Sequence, residues 1–111
     1  MIEKILGEEK NGKFFRGEKE INFKITFRHY EPEKKFIYGV GKDSHGRFTI
    51  FGSEEGNHLS LKKFYGEEEN PKYIVFDCAG DLNKSETEYS GKWKNPKGKD
   101  YIKGNTWKIF L

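Results

Sequence analysis

The chain contains no glutamine, a single alanine (Ala79), a single cysteine (Cys78), one methionine and three prolines in 111 residues. Alanine is the best helix former, so its near absence argues against a helical bundle. One cysteine has no partner for an intrachain disulfide, which excludes a disulfide-stapled scaffold and points to a reducing compartment. No apolar run approaches the roughly 20 residues of a membrane-spanning helix. The apolar start from Met1 to Leu6 is broken by Glu3 and Lys4 and does not read as a signal peptide. Charge of one sign is also missing: 21 basic residues face 18 acidic ones, and a formal net charge of +3 gives no strong field for a polyanion. The expected location is intracellular, in the cytoplasm, with no membrane association.

What the chain has instead is glycine and aromatic rings, recurring together along most of its length. Only 33% of residues are hydrophobic while 16% are aromatic, so the core must draw its volume from a few large rings. Ile21, Phe23, Ile25 and Phe27 alternate with Asn22, Lys24, Thr26 and Arg28, the period-2 pattern of a half-buried strand. Pro32 opens a turn, and Phe36, Tyr38 and Val40 begin a second run, here assigned to the inner face. Asp43-Ser44-His45-Gly46 suits a hairpin loop, Arg47 to Gly52 a returning strand, and Leu59 to Phe64 a strand of ambiguous face. Tyr73 to Ala79, Glu86 to Lys94 and Thr106 to Leu111 complete eight or nine strands at spacings of about ten residues. Residues 1–111 are therefore expected to form one all-β domain, a small antiparallel up-and-down β-barrel of about eight strands. An OB-like barrel or a β-sandwich is the alternative.

Tyr89-Ser90-Gly91-Lys92-Trp93 resembles the Gly-x-Trp element of the calycin barrels, which include lipocalins, fatty-acid-binding proteins and avidins. The glycine-punctuated stretch from Gly39 to Gly52 is similar to hairpins of other small lipocalin-like barrels. In those families the tryptophan of the element closes one end of the barrel and lies on the first strand, whereas Trp93 lies near the C-terminus. The resemblance implies a barrel that carries a small apolar ligand, with a buried ionisable group such as Asp77 fixing a ligand head group.

The sequence offers little for catalysis. His29, His45 and His58 have no metal-ligand spacing, and adjacent Asp43, Ser44 and His45 in a tight turn do not supply a triad's geometry. Gly39-x-Gly41 precedes no helix and so is not a phosphate loop. The acidic run Glu67, Glu68 and Glu69 reads as a solvated loop, and Cys78 as a core thiol. No catalytic residues, metal or cofactor are expected. The leading expectation is a noncatalytic interaction module that recognises a protein or peptide through its loops or one barrel end, with Tyr38, Asp77, Tyr89 and Trp93 as ligand-binding candidates. A lipocalin-like carrier of a small apolar ligand is the first alternative. An OB-like single-stranded nucleic-acid binder, using Arg28, Tyr30, Lys92, Tyr101 and Trp107, is the second.

Overall fold

Period-2 alternation places one residue in two on the inside of a closed sheet, and in this chain the inside positions are filled by rings, branched aliphatics and glycines. The computed structural model describes residues 1–67, 70–95 and 101–111, with residues 67 and 70–75 described by their backbone alone. A 3₁₀ turn, Ile2–Ile5, precedes eight strands: β1 (Glu9–Arg16), β2 (Lys19–Glu31), β3 (Phe36–Asp43), β4 (Gly46–Glu55), β5 (His58–Glu67), β6 (Asn70–Leu82), β7 (Glu88–Lys94) and β8 (Asn105–Phe110). Each strand pairs antiparallel with the next, and β1 pairs with β8 to close the barrel. The expected up-and-down barrel is the observed architecture. Closure removes both sheet edges, which leaves no row of unpaired backbone groups for another chain to join.

Going up the barrel, the lowest layer holds Phe27, Ile37, Leu59 and Tyr89, all fully buried. Ile25, Ile50, Leu61, Cys78, Trp107 and Ile109 fill the middle. Phe23 and Phe48 lie above them, with Phe14, Phe76 and Trp93 packed against the top. Two glycines seat these rings. A Cβ on Gly12 would run into the ring of Phe23, and one on Gly41 into the ring of Phe48, so the absence of a side chain lets aromatic volume cross the barrel axis. The void left in the middle of the barrel is only about 20 Å³, too small for any ligand.

The 3₁₀ turn seals the lower end. Ile2 and Ile5 insert beneath the lowest layer, and Gly7 N–H donates to the Phe27 carbonyl at 2.8 Å, tying the turn to β2. Buried Glu54 on β4 receives the Ile2 N–H at 3.1 Å and the Tyr89 hydroxyl at 2.7 Å, and the terminal ammonium of Met1 lies 3.5 Å away. A carboxylate buried this deeply is tolerable because each of these groups stabilises its charge. Among the described residues no helix is long and apolar enough to cross a membrane.

Candidate functional site

The upper end, where the β1–β2 and β3–β4 hairpins turn, is built differently. Inward alternation on β5 runs Leu59, Leu61, Lys63, Tyr65, so a lysine occupies a core position, with only 2% of its surface exposed. Such a charge needs partners. Asp43, the last residue of β3, turns Oδ2 of its carboxylate inward while Oδ1 faces the hairpin, and its side chain is fully buried. Lys63 Nζ donates to Asp43 Oδ2 at 3.2 Å and to the Tyr65 hydroxyl at 2.8 Å, while the Tyr65 hydroxyl donates to the same carboxylate oxygen. The ammonium also faces rings, 3.6 Å from the centroid of Phe14 and 4.3 Å from that of Phe48. Desolvation pulls the Lys63 ammonium down to about 8, against the opposing pull of Asp43, and burial together with the Asp43 hydrogen bond pushes the Tyr65 phenol well above its ordinary value.

Above this triad lies a cup of about 380 Å³, floored by Lys63 and Tyr65 and walled by Phe14, Ile21, Phe76 and Trp93. The walls lock one another edge to face: Phe76 and Trp93 at 5.2 Å between centroids, Tyr65 and Phe76 at 6.3 Å, Phe14 and Trp93 at 6.4 Å. The Trp93 indole N–H donates to the Phe15 carbonyl at 3.1 Å, which fixes the ring plane. Arg16 and His45 stand at the rim, the latter edge-on to Tyr65 at 6.2 Å, and neither forms an ion pair among the described residues. His45 does not complete a triad with Asp43: only its backbone N–H touches Asp43, at 2.8 Å to Oδ1, closing the turn.

The four ligand-binding candidates from the sequence are not brought together. Trp93 is a wall of the cup. Tyr89 faces inward at the opposite, sealed end. Tyr38 faces outward, because on β3 it is Ile37, Gly39 and Gly41 that point in, which corrects the expected inner face of Phe36, Tyr38 and Val40. A bulge in β2 at Phe27/His29 sets this register, and Tyr38 lines an open outer groove with Arg28, Lys24, Lys42 and Arg47. Asp77 also faces outward, with Cys78 pointing in. Its partner is Lys62 at 3.0 Å, directly across the β5–β6 register, so it is not a buried group for a ligand head.

The nucleic-acid candidates are likewise dispersed. Trp107 is 2% exposed and donates its indole N–H to the Lys92 carbonyl at 3.0 Å, so it offers no stacking face. Tyr30 packs against the core, and Arg28 on β2 is separated from Lys92 on β7 by β1 and β8. Tyr101 lies under Lys94 Nζ at 5.1 Å on the outer wall. His29 pairs with Glu31 and His58 with Asp81, and no group of three potential metal ligands lies together among the described residues. Glu68 and Glu69 lie outside the described residues, and so does part of the basic stretch from Lys92 to Lys108.

Of the cup, only Trp93 was a candidate in the sequence; the polar floor of Asp43, Lys63 and Tyr65 and the walls Phe14, Ile21 and Phe76 were not. The signal was present in Leu59, Leu61, Lys63, Tyr65 as an alternating set, but the competing set Ser60, Lys62, Phe64 also carries a large apolar residue. No protein-family model, curated protein or solved structure matches this chain, so the assignment of function rests on the geometry of the barrel.

Proposed function

We propose that the protein is a noncatalytic binding module that takes one small apolar group at the upper end of its barrel. The observation that carries this reading is the contrast between the two ends: one sealed by Ile2, Ile5 and Tyr89, the other holding a ring-lined cup with a polar floor. At about 380 Å³ the cup falls at the small end of the usual ligand-pocket range of roughly 300–1,000 Å³. It accommodates a ring-sized group belonging to a small molecule or to a side chain of a partner peptide. A long acyl chain finds no room beneath, since the interior below Lys63 is filled. The lipocalin-like reading therefore narrows from a deep carrier to a shallow cup, and the interaction-module reading gains a defined point of contact.

The outer groove lined by Lys24, Arg28, Tyr38, Lys42 and Arg47 supports a polyanion less well, because it is open and Glu9 also lines it, paired with Lys24 at 3.4 Å. The test is a titration with benzyl alcohol and, separately, with a short peptide ending in phenylalanine, followed by tryptophan emission. Saturable change lost in Trp93→Phe and retained in Trp107→Phe supports the cup. Change that persists in Trp93→Phe places the binding elsewhere.

A further inference from the structure

The floor of the cup carries a chemistry that simple apolar binding does not use. Lys63 Nζ lies at the base of the cavity, held from one side by Asp43 and Tyr65 and bounded on others by the rings of Phe14, Phe48 and Tyr65 at 3.6, 4.3 and 4.6 Å. An amine in apolar surroundings, next to a carboxylate able to hold its proton, is the arrangement from which lysines become nucleophiles. The remaining 17 of the 18 lysines include surface residues such as Lys24, Lys34 and Lys62, whose ammonium groups stand in water. Resting on the binding reading above, we infer that Lys63 captures small aromatic aldehydes in the cup as a reversible imine.

The step balances without an oxidant or reductant. Lys63 passes one ammonium proton to Asp43, 3.2 Å away, and its nitrogen lone pair adds to the carbonyl carbon. The alkoxide oxygen formed takes its proton from the adding nitrogen, giving a neutral carbinolamine with one N–H. The protonated Asp43 carboxyl then protonates the hydroxyl, the C–O bond breaks, water leaves, and the nitrogen lone pair forms the C=N bond as an iminium whose one remaining proton is kept or released through the cup mouth. Tyr65 donates to Asp43 throughout and holds the carboxylate in place. The aromatic walls formed by Phe14, Phe76 and Trp93 receive the aldehyde's ring and shield the C=N bond from water.

The groups facing the amine are Asp43, Tyr65 and the Cys78 thiol, with Arg16 and His45 at the rim. Burial pulls the Lys63 ammonium from an ordinary 10.5 down to about 8, so more of this amine is neutral at pH 7 than of a surface lysine. The experiment treats the intact protein at pH 7 with benzaldehyde and cyanoborohydride, which fixes any imine as a benzylamine, and maps the labelled peptides by mass spectrometry at low conversion. Labelling at Lys63 at least tenfold above the average of the other lysines is expected, with competition by benzyl alcohol. Labelling spread evenly over surface lysines overturns the proposal. Benzyl alcohol alone separates the two levels: if it changes Trp93 emission while Lys63 stays unlabelled, the imine is excluded and the binding reading stands, and if it does neither, both fall.

Discussion

Lys63 carries its charge with only 2% of its surface exposed, and its behaviour follows from that. Asp43→Asn leaves the ammonium buried without its counter-charge and is expected to destabilise the fold by about 3 kcal/mol, whereas Lys63→Met combined with Asp43→Asn recovers much of that loss. Urea denaturation of the three proteins checks it. The pH dependence has a definite sign. Folding lowers the Lys63 ammonium from 10.5 to about 8, so in that window the unfolded chain holds more protons and stability rises with pH, the penalty for the charged form being present in full below pH 8. Cys78 opposes it: burial pushes the thiol from 9.0 up to about 12, so stability falls with pH from about 9 upward. The expected profile therefore climbs from pH 8 to pH 9, flattens to about pH 10 and falls above that, where the raised phenols of Tyr65 and Tyr89 add to the effect of Cys78. A wild-type profile with no climb, or a climb kept in the Lys63→Met/Asp43→Asn protein, contradicts this account of the buried pair.

At the scale of elements, the two ends of the barrel are built differently. Tyr89→Phe removes a hydrogen bond to the buried Glu54 carboxylate and is expected to cost about 1.5–3 kcal/mol, with benzyl alcohol affinity unchanged because Trp93 and Lys63 lie at the other end. Ile2→Ala opens a cavity under the lowest layer at a cost of about 2–4 kcal/mol and is expected to speed exchange of the Gly7 amide, held by the Phe27 carbonyl, before it affects β5. Gly12→Ala drives a methyl group into the Phe23 ring and the Lys108 carbonyl and should destabilise by about 1–3 kcal/mol in thermal melts. The strands themselves were legible because Ile21, Phe23, Ile25 and Phe27, like Tyr89, Gly91 and Trp93, alternate with polar residues without interruption. The faces of β3 and β5 were not. On β3 the inward positions alternate as Ile37, Gly39 and Gly41, so the larger apolar residues Phe36, Tyr38 and Val40 dominate the pattern while pointing out. On β5 the inward set runs through a lysine to Tyr65, its neighbour two residues on, but its acidic partner Asp43 lies two strands away and meets it only across the curled barrel. Sequence spacing holds no record of that meeting.

The whole molecule is an asymmetric barrel, filled through its middle, plugged below and hollow above. The direct test is a two-dimensional amide spectrum of the labelled protein recorded while benzyl alcohol is added. Its two indole N–H signals, one from Trp93 at the cup and one from Trp107 in the core, are both held by backbone carbonyls and so give sharp, separate reports. The predicted result is saturable movement of the Trp93 indole and of amides at Phe14, Ile21, His45 and Tyr65, with Trp107, Ile2 and Tyr89 still. Movement confined to Lys24, Arg28, Tyr38, Lys42 and Arg47 on the outer wall, or no saturable movement anywhere, would contradict it.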